Sequence, residues 1–478
     1  MNNYININST RGSQNGHLKY KLKVLRAFTF FYSIIVFVGC SDFVEIDPPK
    51  NTLVSETVFK EASTIKSALA NVYFKMREEG MVSGNFGLGI LMSSYGDELD
   101  YYQNNTSFMR IYNHSIISSD ETVLSWWYHA YNIIYSVNDI IKGVDNSNAL
   151  TVEEQEEFKG QALFVRGYMH SLLVAIYGDV PYITTTNYLE NNVVERMPQN
   201  VVYENIITDL NDAINLLDDT DATGENVIPN RSAAEALLAR VYLYTENWEM
   251  AEAIASEVIG KYNLESDIAK VFLKESPETI WQFKPGVYPN NNTRDAVWLI
   301  IRMLPGHNYA LTSNLLDAFE IGDLRQSNWV NSATSDDGLT TLQYAYKYKE
   351  LSNTTELSLE YSIIFRLAEQ YLIRAEARAH QGDIFGAQQD LNAIRNRAGL
   401  ANTTAATEND LLEAILQERH VELFTEQGHR WFDLKRTGKA SEVLSSIKTN
   451  WRDTDTLFPI PENEIERNPN LKPQNPGY

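Results

Sequence analysis

The 478-residue chain has one cysteine, Cys40. A single thiol excludes an intramolecular disulfide and a four-thiolate zinc site. Long apolar runs are scarce too: Ala27 to Gly39 falls short of the roughly 20 residues a membrane-spanning helix needs. Positive charge is the third deficit, with 40 Lys and Arg against 63 Asp and Glu and a formal net charge of −23. Affinity for nucleic acid comes largely from Lys and Arg releasing counterions, so this balance speaks against a nucleic-acid partner. Gly-x-x-x-x-Gly-Lys, His-Glu-x-x-His and Gly-x-Ser-x-Gly are all missing. The eight histidines are scattered, and His420 and His429 are not spaced to share a helical face, so no metal site is expected. "DDTDATGEN" (218–226) lacks the glutamate of a calcium loop at its twelfth position, which is Asn230, and reads as a solvated turn. No cofactor is implied.

Cys40 itself stands where the apolar stretch ends. Lys19, Lys21, Lys23 and Arg26 precede that stretch, which gives the order of a secretory signal. Gly39 before Cys40 matches the cleavage consensus of bacterial lipoproteins, in which the cysteine becomes a lipidated first residue. The alternative is an ordinary signal peptide that leaves a free thiol exposed; lipidation is favoured because such a thiol would be reactive and unprotected. Removing residues 1–39 leaves 35 basic against 63 acidic residues, or −28. An anionic membrane surface repels that charge, so an anchor has to be hydrophobic, and several acyl chains supply one.

No Pro/Gly/Ser-rich linker divides residues 40–478, which are expected to form a single domain. Helical periodicity is strong at 126–142 (Trp127, Tyr131, Ile134, Val137, Ile141) and at 161–177. Ser118/Glu121, Thr151/Glu154 and Ser232/Glu235 have capping-box spacing. Residues 236–259 and 372–394 superimpose with Ala239 on Ala375 and Ala251 on Ala387, the small-residue pattern of tetratricopeptide (TPR) hairpins. Hairpins are expected within about 60–260 and 360–436. Between about 261 and 365 Pro, Asn, Gly and aromatic residues cluster, with alternating pieces such as "LQYAYKYK" (342–349), which predicts a loop-rich insertion with short strands.

The C-terminal third carries a family resemblance. "RLAEQYLIRAEARAHQGDIFGAQQDLNAIRNRAGL" (366–400), "ERHVELFTEQGHRWFDLKRTG" (418–438) and "LFPIPENEIERNPNLKPQNPGY" (457–478) closely resemble the SusD/RagB family of outer-membrane lipoproteins of Bacteroidetes. "ALFVRGYMHSLLVAIYGDVPYI" (162–183) and "NLLDAFEIGDLRQ" (314–326) are similar to earlier pieces of that family. The resemblance implies a mostly α fold, four TPR-like helix pairs bearing a variable loop-rich part. It also implies a non-catalytic role: binding oligosaccharide or polysaccharide at the cell surface and passing it to a SusC-like TonB-dependent transporter. Peptide capture for a RagA-type importer is the alternative, and a glycoside hydrolase a remote third. In "EQGHRWFDLKR" the alternating charges of Glu422, Glu426, Arg430, Asp433 and Arg436 read as structural ion pairs rather than an acid/base cluster around His429.

A sugar site wants a flat aromatic surface flanked by amide, carboxylate or guanidinium groups. Two places qualify. "GDELDYYQNN" (96–105) sets Tyr101 and Tyr102 beside Asp100, Asn104 and Asn105, in a region where relatives place ligand contacts. The insertion offers Trp298, Tyr309 and Trp329 near Arg302 and Asn308. The candidate ligand-binding residues are therefore Tyr101, Tyr102, Asn104, Trp298, Arg302, Tyr309 and Trp329, with Cys40 as the lipidation site.

Overall fold

The structure, a computed structural model, describes residues 59–287, 289–351 and 357–478. Cys40 and the proposed signal lie outside them. The helices that build the frame are α1 (Ala62–Glu78), α2 (Leu88–Tyr95), α3 (Thr106–Tyr112), α4 (Glu121–Asp145), α5 (Val152–Tyr177), α6 (Gln199–Leu216), α7 (Arg231–Tyr244) and α8 (Trp248–Ile259). After a strand-bearing stretch with α9 (Asp295–Leu299) and α10 (Leu324–Trp329) come α11 (Leu367–His380), α12 (Ile384–Arg397), α13 (Glu408–Leu423) and α14 (His429–Arg436).

Four helix pairs follow one another: α1/α4, α5/α6, α7/α8 and α11/α12. Each pair packs on the next through α4 on α5, α6 on α7 and α8 on α11, and α13 closes the stack against α11 and α12. This is the expected TPR-like scaffold. Ala239, Ala251, Ala375 and Ala387 are all fully buried, so backbones meet where no larger side chain fits. The two hairpins agree down to their caps. In α7 the amides of Glu246 and Asn247 return to Leu243 O (3.3 Å) and Tyr242 O (2.9 Å); in α11 those of Gly382 and Asp383 return to Ala379 O (3.0 Å) and Arg378 O (2.9 Å).

Of the three expected capping boxes, Thr151/Glu154 forms as read, with Thr151 N donating to Glu154 Oε2 at 3.0 Å and Glu154 N to Thr151 Oγ1 at 3.2 Å. The other two do not. Asp120 caps α4 through Thr122 N (2.9 Å), and Asn230 caps α7 through Ala233 N (3.0 Å), with Ser232 already inside the helix. Asp and Asn are as good as Ser at this position, so the Ser/Glu spacing misplaced the starts by two residues.

Two insertions interrupt the frame. One, between α1 and α4, carries α2, strand β1 (Leu99–Tyr101) and α3; the other, between α8 and α11, carries β2 (Thr279–Phe283), β3 (Tyr309–Leu311), β4 (Val330–Thr334), β5 (Thr341–Ala345) and β6 (Ser362–Arg366). β4 and β5 form a local antiparallel pair, β2 joins β6, and β1 joins β3 across the two insertions. Sequence patterning did not foresee that last pairing.

A buried ionic network bolts the second insertion to the frame. Arg366, ending β6, donates to Glu278 (3.1 Å), Glu422 (2.6 Å) and Glu426 (2.7 and 2.9 Å). Arg325 of α10 reaches Asp323, Glu418 and Glu422, and Arg397 of α12 reaches Glu278 and Glu422. Three guanidiniums hold the Glu422 carboxyl far below the usual carboxylate range against the opposing effect of burial. Arg430 pairs with Asp97, and Asp433 with Arg419 and Arg436, so the charges of "EQGHRWFDLKR" are structural, and burial keeps His429 well below its ordinary range. The C-terminal segment lies against α5: Phe458 N donates to Ile176 O (3.0 Å) and Asn475 Nδ2 to Tyr177 O (2.8 Å). In the 218–226 turn, Asp221 spends its carboxylate on the amides of Thr223, Val227 and Ile228, as a self-closed turn does.

Candidate functional site

The antiparallel ladder of β1 and β3 sets Asp100 opposite Ala310 and Tyr101 opposite Tyr309. It continues outward, with Tyr102 N donating to Asn308 O at 2.9 Å and Gln103 Nε2 to the carbonyls of Gly306 (3.2 Å) and His307 (2.7 Å). The two stretches read as separate candidates therefore form one surface. Its most prominent group is Tyr102, 46% exposed. Its ring lies 4.2 Å from the His307 ring, tilted by 46°. Burial lowers the His307 pKa, which favours the neutral ring.

Asn104, Arg302 and Met303 of the same two stretches are exposed. Tyr101 is half-buried; its hydroxyl accepts from Asn105 N (3.3 Å) and its ring lies 6.0 Å from Phe108, which meets Phe86 edge-on at 5.4 Å. Phe86, 47% exposed, is the solvent-facing end of this Tyr101–Phe108–Phe86 aromatic run. Sequence reading missed Phe86 and His307. The only signal for Phe86 was an aromatic residue in the glycine-rich "SGNFG" (83–87), and His307 became visible only through its strand partner.

The surface rests on firm ground. Tyr112 Oη donates to Asp100 Oδ1 (2.9 Å), and the Lys448 ammonium sits 4.0 Å from the centre of the Tyr112 ring while donating to Ser94 O (2.8 Å). Burial, only partly offset by the nearby Asp100 and Asp97 carboxylates, pulls Lys448 down to about 8. Next to β1, Asp97 receives a two-pronged contact from Arg430 at 2.8 Å, and Glu98 accepts from Ser93 Oγ and from Thr425 N (3.2 Å). Burial pushes the Glu98 carboxyl up to about 7.

Two candidates are corrected. Tyr309 is 1% exposed, because all three residues of β3 face packed structure and the ring stands 5.2 Å from that of Tyr101. Trp329, also 1% exposed, donates its indole N–H to Ile268 O (2.9 Å) and lies against Phe272 and the Lys347 ammonium. Both are core residues with no face for a sugar. Trp298, on α9, is half-buried and packs on the same buried cluster, around Leu99, Leu299 and Tyr309, as Tyr101 does. Tyr102, Asn104 and Arg302 remain at the surface.

This chain is similar to known proteins over most of its length. A family described as "Starch-binding associating with outer membrane" matches residues 23–243, and the "SusD family" matches residues 303–478. SusD-like protein P2 of Formosa agariphila is 28% identical over 523 aligned positions, covering 96% of this chain and 100% of that protein. A SusD superfamily structure from Bacteroides vulgatus superimposes with a TM-score of 0.76 at 21% identity, covering 88% of this chain and 99% of that one. A laminarin-binding SusD-like protein gives a TM-score of 0.75 at 24% identity, covering 87% and 99%. Two family matches in chain order and the shared helical frame lead to one conclusion: the chain belongs to the SusD/RagB family.

Proposed function

We propose that this protein is a cell-surface lipoprotein that binds oligosaccharide or polysaccharide on the Tyr102–His307 surface and delivers it to a SusC-like TonB-dependent transporter. The observation that carries the reading is the exposed Tyr102 ring, held beside His307 where the β1/β3 ladder continues outward, with Asn104 and Arg302 of the same two stretches also exposed. A pyranose ring offers an apolar C–H face to such a plate and its hydroxyls to the amide and guanidinium. A structural relative described as laminarin-binding supports the ligand class. Residues 1–39 serve as the signal and 40–478 form the mature chain, anchored through lipid on Cys40. No helix among the described residues is long and apolar enough to cross a membrane.

Electrophoresis in native gels cast with laminarin, starch or xylan tests the binding. The matching polysaccharide slows the protein, and Tyr102→Ala removes most of the retardation. If Tyr102→Ala migrates like the parent in the retarding gel, this surface is not the site. Peptides co-purifying with the protein, with no polysaccharide retained, replace glycan capture by peptide capture. For the anchor, Cys40→Ser releases the protein from the outer-membrane fraction; its persistence there after a high-salt wash refutes lipidation.

A further inference from the structure

The cavities differ sharply in chemistry. One of about 350 Å³, between α1 and the end of β2, has a largely apolar wall of Leu69, Val227, Ile228 and Phe283, with Lys66, Arg77, Glu157 and Lys284 also in its lining. Another, of about 460 Å³, opens among α7, α8, α11, α13 and α14, away from the β1/β3 ladder in the fold. Its lining holds Trp248 and His380, whose rings lie parallel at 3.9 Å and 16°. Around that double plate stand Asn409, Glu246, and Glu413 paired with Lys439. Paired charges of both signs give a charged guest little net gain. Hydroxyls, which donate and accept, match them on both counts.

Glu246 sets this cavity apart. It occupies the left-handed cap position after α7 with φ +57°, and its counterpart after α11, closed by the same two hydrogen bonds, is Gly382 at φ +81°. Glycine takes that conformation freely and a side chain does not. The hairpin therefore keeps an exposed carboxylate, open to the cavity and to solvent, where its own internal repeat uses glycine. The left-handed backbone at Glu246 directs an acidic group to the rim of a cavity that already holds a stacked aromatic pair, an amide and a second carboxylate.

We propose that this cavity is a second carbohydrate subsite, in which a sugar ring packs on the Trp248–His380 plate and its hydroxyls bond Glu246, Glu413 and Asn409. The inference rests on the glycan-capture reading and deepens it: the protein holds one polysaccharide chain, or two branches of it, at two places. Two linked contacts raise the retention of a long chain well beyond that of a short oligosaccharide.

The test compares Glu246→Gly, Trp248→Ala and Tyr102→Ala in the laminarin, starch and xylan gels and in titrations with the matching polymer and a short oligomer of it. Glu246→Gly installs the residue of the sister hairpin, so its Tm is unchanged or higher, which separates binding from folding. Losing a hydrogen bond to a charged group weakens retention of the polymer roughly tenfold. Trp248→Ala weakens it further, while Tyr102→Ala affects polymer and oligomer alike. Full retention by a well-folded Glu246→Gly protein, alongside loss in Tyr102→Ala, overturns the second subsite and leaves the first standing. If the parent is retained in no gel, glycan capture falls and this subsite with it. If a co-purified peptide is lost on Glu246→Gly, the cavity is a peptide site.

Discussion

Arg366 is the most demanding test of the frame that presents the site. Its guanidinium makes five hydrogen bonds: one to Glu278, two to Glu426, and two to the side chain and carbonyl of Glu422. Arg366→Met fills a similar volume but removes every donor. Each carboxylate keeps at least one other cation, since Glu278 retains Arg397, Glu422 retains Arg325 and Arg397, and Glu426 retains Lys347. The loss is therefore that of one broken buried pair, about 3–5 kcal/mol, rather than the sum of five bonds. With an unfolding entropy of roughly 2.1 cal/mol/K per residue over about 400 ordered residues, this lowers Tm by about 4–6 °C. Differential scanning calorimetry at pH 7 reads it directly. Arg366→Lys recovers only part, because an ammonium cannot reproduce the planar fork. A Tm within about 1 °C of the parent for Arg366→Met refutes the reasoning, since it means that water already satisfies these carboxylates.

Glu98 gives a pH signature. Its folded pKa of about 7 lies above the ordinary carboxylate value, so the folded state binds the extra proton. Its stabilising share is complete below about pH 4 and is lost as pH rises through 7. Glu98→Gln, which mimics the protonated group, is expected to gain stability on the parent between pH 5 and pH 8 by about 3 kcal/mol; parallel stability curves in urea titrations would sink the assignment. At Gly382 nothing lies within 4 Å of an added Cβ, so Gly382→Ala isolates the backbone cost of a positive φ. A loss of about 1 kcal/mol is expected in denaturant titration, and no loss would show that the turn relaxes.

The helical frame was legible because its signals are local. The twelve-residue spacing of Ala239/Ala251 and Ala375/Ala387 identified two hairpins, and both are buried as the spacing requires. Thr151/Glu154 marked a true helix start for the same reason, as both partners lie within one turn. The Ser118 and Ser232 readings failed where an Asp or Asn two residues away met the same need.

The candidate site was half legible. Tyr102, Asn104 and Arg302 were named as candidates and are exposed, but nothing in the pattern separated them from Tyr309 and Trp329. An exposed and a buried tyrosine have the same composition, and β3 is three residues long with no alternation to read.

What the sequence determined by itself is what short-range geometry dictates: helix pairs, their close-packed small residues, and the family those motifs share. The tertiary structure alone decided which aromatic rings meet solvent. That choice depends on a β1/β3 pairing between segments about 200 residues apart, whose closure follows from burial and backbone hydrogen bonding across the whole fold rather than from either segment.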